Sequence, residues 1–541
     1  MRKIFRVLVS RYTLSALFIL AEIALIAYLA FYAYTYSFLF VLLANVVNLL
    51  VILSLINRDT NPEFKLTWLA VVVMIPLFGG VLYIMFYSRR LTRKEADFLK
   101  KLGADMLECE RKNGNDTESL RVLNSLAKYS ESGAGCALAV MKDDALAEIY
   151  SDCKTEYFSS GEIFFEAMLE SLQGAKKYIF LEYFIVEDGF MWRSILEILR
   201  EKIKSGVEVR MLYDDIGSMS TLPAGFDKKL RNEGISCYRF AKVRPKFSSS
   251  YNNRDHRKIC VIDGKVAFTG GINIADEYIN KKQRFGHWKD GGVRVFGTAA
   301  EGFARLFLVM FDFTCRKETD YGAYLSRESK ANTGVSDDSH GGGEGKVPFG
   351  SGAEQGDKSG YLIPFGSGPA PLYTEPVGKG ALMNIINASR RYLYITTPYL
   401  IIDYDITEAL RQASKRGVDV RIITPGKADK KIVKIMTKSS YPYLIKAGVR
   451  IFEYTPGFIH EKLLVSDDIF AVVGTINFDY RSFVHHFEDA LWICGDPVIA
   501  DIRDSFMKTE SVSAEILPSE AKLGFCERVI RTLIRIFAPL F

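Results

Sequence analysis

Histidine is scarce in this chain, six residues in 541. Cysteine is sparse too: the eight present show no C-x-x-C and no paired spacing. That excludes a secreted disulfide framework and a cysteine zinc site, and it fits reduced thiols in a cytosolic domain, with Cys260 a buried strand residue. No carboxylate cluster has the makings of a metal site, so neither metal nor other cofactor is expected. A long basic stripe is also missing, which speaks against a nucleic-acid groove although the net charge is +6. Charge is nearly absent from Tyr12 to Ile56, where 45 residues carry only Glu22. Such a run is too long for a cleavable signal peptide, and a second apolar run comes after it.

Two of the few histidines sit in one repeated spacing. His256-Arg-Lys258-Ile-Cys-Val-Ile-Asp263 and His460-Glu-Lys462-Leu-Leu-Val-Ser-Asp467 both read His-x-Lys-x-x-x-x-Asp. Each is followed by a Gly/Asn turn, Gly270-Gly271-Ile-Asn273 and Gly474-Thr475-Ile-Asn477. The apolar residues after each histidine predict a short strand buried in an α/β sheet. Side chains at i and i+2 of a strand share a face, so each histidine and its lysine point the same way. An imidazole beside an ammonium is poor core material, because both lose hydration on burial. Around a phosphate the pair makes sense: lysine supplies charge, asparagine an amide donor, and histidine a nitrogen that attacks phosphorus or carries a proton.

The apolar runs predict a membrane anchor over residues 1–90. Tyr12–Ile56 is long enough for two spans, and the 23 residues Leu66–Ser88 for a third. Asn45, Asn48 and Glu22 within them suit helix contacts. The cluster Arg89, Arg90, Arg93 and Lys94 places the remainder of the chain in the cytoplasm, but Arg2, Lys3, Arg6 and Arg11 leave the choice between two and three spans open.

Beyond a connector at 91–150 the chain repeats itself. Residues 175–183 are similar to 388–396, and 206–212 to 417–423; between them lie amphipathic helices at Trp192–Ser205 and Ile406–Arg416. Each half thus reads as a βαβ unit, giving α/β domains at 151–324 and 361–520. The segment 325–360, rich in Gly, Ser and charge and holding His340, reads as a flexible insertion. Residues 521–541 place Arg528, Arg531 and Arg535 opposite an apolar face, an amphipathic helix suited to an anionic membrane.

The duplicated motif is the signature of the phospholipase D superfamily. Asn61–Trp68, Leu212–Ser218, Thr269–Tyr278, Thr397–Tyr399, Arg416–Arg421, Gly474–Phe483 and Phe487-Glu488 further resemble its bacterial cardiolipin synthases. The resemblance implies two homologous domains packed face to face, preceded by transmembrane helices, in a multi-pass protein of the bacterial plasma membrane. It implies that His256, Lys258, Asp263, His460, Lys462 and Asp467 form the catalytic set, and that one histidine becomes phosphatidylated while the other carries protons. Asn273, Asn477 and Thr475 would contact phosphate, Glu488 would back His460 and Asp290 would back His256. Asp263 and Asp467 are expected to tie down strand ends. His256 is expected as nucleophile and His460 as acid/base, the latter lying in the half with Thr475 and Glu488. His485 and His486 fall near the second motif, where headgroup binding is an alternative, and are expected to be structural rather than catalytic. Phosphatidylglycerol and anionic membrane lipid are the implied partners, and no nucleic acid is. A hydrolase, a transferase for another headgroup, or a membrane-anchored nuclease using Tyr441, Tyr443, Phe452 and Tyr454 for stacking are the alternatives.

Overall fold

The computed structural model describes residues 23–520 apart from 30, 33–34, 36–37, 59–60, 76–77, 88–90, 113–114, 145, 244–252 and 326–359. Expectations for the basic N-terminus, Glu22, Arg89, Arg90, most of the insertion with His340, and the C-terminal helix lie outside those residues. Helices α1 (Phe38–Ile56), α2 (Pro62–Met74) and α3 (Gly79–Tyr87) fold onto one another around Val51, Leu55, Trp68, Val72 and Tyr83. Asn48 of α1 accepts a 3.0 Å hydrogen bond from the Gly80 amide, so this polar residue fastens α1 to α3.

The run Leu66–Ser88, expected as one span, is divided between helices of 13 and 9 residues. Its sequence holds Pro76, which lacks an amide and disfavours helical backbone in the residue before it, and α2 ends at Met74. A Cβ on Gly79 would meet Val72 Cα at 2.4 Å, so only glycine permits this close return. Among the described residues no helix is long and apolar enough to cross a membrane. The connector is likewise helical: α4 (Arg93–Lys112), α5 (Asn115–Tyr129) and α6 (Glu131–Asp143) bury Leu99, Leu102, Met106 and Leu126 against the α/β body.

The first α/β unit contains, in chain order, β1 (Lys154–Phe158), α7 (Gly161–Gln173), β2 (Tyr178–Tyr183), α8 (Phe190–Lys204), β3 (Glu208–Asp214), α9 (Phe226–Asn232) and β4 (Ser236–Phe240). It continues with β5 (Lys258–Ile262), β6 (Val266–Gly270), β7 (His287–Lys289), β8 (Gly292–Phe296) and α10 (Ala299–Cys315). Its seven-stranded sheet runs β1-β8-β6-β5-β2-β3-β4. The second unit has β9 (Tyr361–Ser367), α11 (Val377–Ala388), β10 (Tyr392–Thr396), β11 (Leu400–Ile401), α12 (Tyr404–Lys415), β12 (Asp419–Pro425), α13 (Lys431–Ile445) and β13 (Arg450–Tyr454). Then come β14 (Gly457–Ile459), β15 (Leu463–Ser466), β16 (Phe470–Gly474), β17 (Phe478–Asp479), β18 (Glu488–Cys494), α14 (Val498–Ser511) and β19 (Ser513–Glu515). Its sheet, read as β9-β18-β16-β15-β10-β12-β13-β19, matches the first strand for strand with one strand added.

The repeat is therefore structural. Strands β2 and β3 pair in parallel across α8, as do β10 and β12 across α12. Helix α8 buries Met191, Trp192, Ile195, Leu196, Ile198 and Leu199, spaced for one face, and each fully buried side chain of this kind contributes roughly 1.5–3 kcal/mol. Between the units lies α10, buried from Ala299 to Phe313, which packs on strands of both sheets.

The two units also exchange short strands. The segment before the first motif reaches the second unit, where Asp255 bridges in parallel to Phe487. The segment before the second motif, β14, pairs in parallel with β7 of the first unit. Each motif thus enters its own sheet from the edge of its neighbour's.

Candidate active site

That strand exchange determines what each histidine touches. The His256 amide donates to the Phe487 carbonyl and the His460 amide to the Lys289 carbonyl, both at 2.8 Å. The next residue along each of those neighbouring strands is an acid. Accordingly His256 Nδ1 lies 2.8 Å from Glu488 Oε2, and His460 Nδ1 lies 2.8 Å from Asp290 Oδ2. The expected partnership is therefore crossed: Glu488 backs His256 and Asp290 backs His460. The cause is tertiary, since each carboxylate belongs to the unit opposite its imidazole. With the Nδ1 hydrogen donated to a buried carboxylate, Nε2 is the nitrogen that keeps a lone pair for chemistry.

Lys258 and Lys462 curl back onto their own motifs. Lys258 Nζ donates to the His256 carbonyl at 2.7 Å, and Lys462 Nζ to the His460 carbonyl while lying 2.9 Å from His460 Nδ1. All four side chains are buried. Burial, then the lysine charges, hold His256 well below the usual histidine range. Burial and Lys462 hold His460 down to about 4, against the opposing pull of Asp290. Burial brings Lys258 to about 8 and Lys462 to about 7, with nearby carboxylates resisting the shift. Lys462 is lowered further by Lys258, and His256 by both Lys462 and His460, so the two motifs lie within one electrostatic neighbourhood. A cluster of neutral imidazoles and weakened ammonium groups awaits an anion.

The remaining expected residues divide sharply. Asp263 stands outside the cluster and accepts from the amides of Lys176, Lys177 and Tyr178 at 2.7–2.8 Å. Asp467 accepts from Arg390, Arg391 and Tyr392 at 2.6–2.9 Å. Five strand residues separate Asp263 from His256, roughly 17 Å or more of extended chain. Both aspartates sit at left-handed backbone positions, φ 55° and 61°, in the tight turns after β5 and β15. They clamp the starts of β2 and β10 and take no part in the His-Lys cluster.

Thr475, expected at phosphate, instead donates its hydroxyl to Glu488 Oε2 at 2.5 Å. It steadies the carboxylate behind His256. In the first unit Gly271 occupies the matching place, where a Cβ would meet Asp290 Oδ1 at 2.0 Å. Asn273 accepts from the Ile185 amide at 3.0 Å and donates to Tyr278 Oη at 2.7 Å, leaving one N–H uncommitted. Asn477 is buried, and its Oδ1 has no hydrogen-bond partner among the described residues.

Sequence reasoning missed several neighbours. His460 is boxed by Tyr278 and Trp288, ring centres 5.4 Å away, and by Phe458 at 6.0 Å. His256 faces Phe184 at 5.0 Å and His486 at 5.4 Å. The residue between each histidine and lysine points the other way and joins the units. Arg257 donates to Leu306 O at 3.0 Å and to Tyr373 Oη at 2.7 Å, while Glu461 meets Lys289 Nζ at 3.1 Å. Asp489, next to Glu488, accepts from the Lys258 amide at 3.0 Å and from Thr269 Oγ1 at 2.5 Å. Of these, only His486 and Asp489 fall in the run His485–Asp489, which its density of titratable groups marks out.

A pair of matched α/β sheets that bring two His-Lys pairs to one central cluster defines a phospholipase D-type fold. The chain matches the family described as cardiolipin synthase, phospholipase D-like domain, at residues 168–284 and 382–509. Residues 46–86 match a phospholipase D-nuclease N-terminal family. It is 32% identical over 497 residues to a cardiolipin synthase of Halalkalibacterium halodurans, covering 91% of each chain. An uncharacterized protein of Streptococcus mutans is 38% identical over 498 residues, 90% of this chain and 99% of the other. The phosphatidylserine synthase of Haemophilus influenzae shares the fold, with a TM-score of 0.51 at 15% identity over 71% of this chain and 93% of that one. The chain belongs to the bacterial cardiolipin synthases, phosphatidyltransferases of the phospholipase D superfamily.

Proposed function

We propose that this protein joins two phosphatidylglycerol molecules into cardiolipin and glycerol through a phosphatidyl-histidine intermediate. The observation that carries the mechanism is the pair of imidazoles, each with Nδ1 committed to the opposite unit's buried carboxylate and each beside a lysine. His256 Nε2 attacks phosphorus, the bond to the glycerol oxygen breaks, and His460 protonates that oxygen as it leaves. His460 then takes the proton from a hydroxyl of the second lipid. Its oxygen attacks phosphorus, the P–N bond breaks, and cardiolipin departs. Lys258, Lys462, Asn477 and the remaining Asn273 N–H stabilise charge on the non-bridging oxygens.

The division of labour rests on different grounds from those expected. Glu488 and Thr475 serve His256, so they no longer favour His460 as the base. What supports it is the pull of Asp290, which raises His460 against burial and leaves it near 4, whereas burial and the lysine charges hold His256 well below the usual histidine range. An imidazole whose basicity a buried carboxylate raises suits proton carriage. The phosphodiester's negative charge raises both groups when substrate binds, so His460 can be protonated in the complex.

Membrane association is part of the reading. Leu39, Leu43 and Leu50 on α1 are 60–71% exposed, and such an apolar face suits a lipid bilayer. Helix α2 docks beside the site: Asn61 donates to Asp403 at 2.9 Å, and Phe64 packs 5.8 Å from the His485 ring. The apolar helices therefore keep the cleft close to lipid, raising the acceptor's effective concentration over water. A nuclease reading loses most of its stacking platform, because Tyr441, Phe452 and Tyr454 are core side chains and only Tyr443 of the four is exposed.

The test is product analysis with purified protein and phosphatidylglycerol vesicles, without nucleotide. Cardiolipin and glycerol in equal amounts are expected. Phosphatidic acid alone would show hydrolysis instead.

A further inference from the structure

His486 is a buried imidazole with nothing to do in the reaction described. It is 7% exposed, and neither ring nitrogen makes a hydrogen bond among the described residues. Its Nδ1 lies 3.6 Å from Glu488 Oε1, an oxygen that also lacks a hydrogen bond, while Oε2 serves His256 and Thr475. Buried polar atoms without partners are costly and uncommon, and here they face each other.

The pseudo-symmetry of the molecule weighs the plain packing role. Aligning Glu488 with Asp290 puts His486 opposite Trp288. Both rings stand 5.4 Å from their motif histidine, His486 from His256 and Trp288 from His460. A ring stands in each place, and in the first unit it is an indole, which packs without offering a ligating nitrogen. The second unit has a ring with two ligating nitrogens.

We propose that His256, His486 and Glu488 form a site for a divalent transition-metal ion of the zinc type, and that filling it switches catalysis off. One ligating atom from each lies within 4.8 Å of the others. Two imidazoles and a carboxylate with an open fourth position are a donor set that Zn²⁺ favours. Bonds of about 2.0–2.1 Å require these atoms to draw together, which rotation of the His486 ring supplies. A metal on His256 Nδ1 would move the ring hydrogen to Nε2 and remove the attacking lone pair. A metal on Nε2 would consume that lone pair directly. Either way attack on phosphorus stops, with no change in oxidation state.

The inhibitory half of this inference rests on His256 reacting with substrate; the binding half does not. The experiment therefore has two readouts on the full-length enzyme in phosphatidylglycerol vesicles, wild type and His486→Asn. Activity is followed against buffered free Zn²⁺, and binding by the visible absorption of added Co²⁺. The wild type should lose activity at micromolar Zn²⁺ and regain it with chelator, and His486→Asn should keep its activity but need at least about tenfold more Zn²⁺. Tetrahedral Co²⁺ bands should appear in the wild type and be absent from the variant. Equal zinc sensitivity in both proteins, or Co²⁺ bands that survive the substitution, would overturn the site. Co²⁺ bands that depend on His486 without any zinc inhibition would keep the site and refute its effect on catalysis.

Discussion

At the scale of single residues, the site is a set of groups held away from their ordinary charge states until an anion arrives. Lys462 near 7 and Lys258 near 8 are only partly cationic around neutral pH. A bound phosphate raises both, so binding must take up protons. Calorimetry of inorganic phosphate binding at pH 8, in buffers of different ionisation enthalpy, should show net proton uptake that shrinks in Lys462→Met; proton release would contradict the account. Turnover carries the matching sign. A lysine whose pKa is lowered loses its charge as pH rises through 7–8, so kcat/KM should fall across that window while kcat holds to higher pH. Gly271 offers a second probe. The Cβ of Gly271→Ala would meet Asp290 Oδ1 at 2.0 Å and push the carboxylate off His460. Turnover should drop on the order of 10²-fold with the protein still folded, read as kcat beside circular dichroism.

At the scale of elements, much was legible. The buried runs after each histidine gave β5 and β15. The helical spacing at Ile195 and Leu199, or Ile406 and Leu410, gave α8 and α12 close to their true ends, Phe190–Lys204 and Tyr404–Lys415. Period alone carries that information. The division of Leu66–Ser88 was also written in the chain, at Pro76 and Gly79-Gly80, but a reading by length and hydropathy passed over it. The turns explain the motif aspartates. Asp263→Ala should leave the Lys176, Lys177 and Tyr178 amides without their acceptor and lower stability by about 2 kcal/mol, with KM unchanged. Thermal unfolding and kinetics on the folded fraction check this; a large loss of kcat at full stability would return the aspartate to the reaction. For α1, Leu43→Asp together with Leu50→Asp should release the enzyme from vesicles in a flotation assay, if its exposed face meets lipid.

At the scale of the whole molecule, the two units complete each other. Neither histidine finds its carboxylate within its own half, because the strands before the motifs cross over to β7 and to Phe487. This is why the family resemblance could name the partners Glu488 and Asp290 and still assign them to the wrong imidazoles: strand pairing between units leaves no trace in spacing along the chain. Arg257 and Glu461 were invisible for the same reason, reading as the variable position of a motif while holding the interface together.

The central claim is that one of these histidines becomes covalently phosphatidylated while the other moves the proton. The direct measurement is to quench the enzyme with acid during turnover of labelled phosphatidylglycerol and map the labelled residue. The account predicts label on His256, retained when a substrate with a good leaving group is given to His460→Ala and absent from His256→Ala. Label on His460, or turnover without label on either histidine, would contradict it.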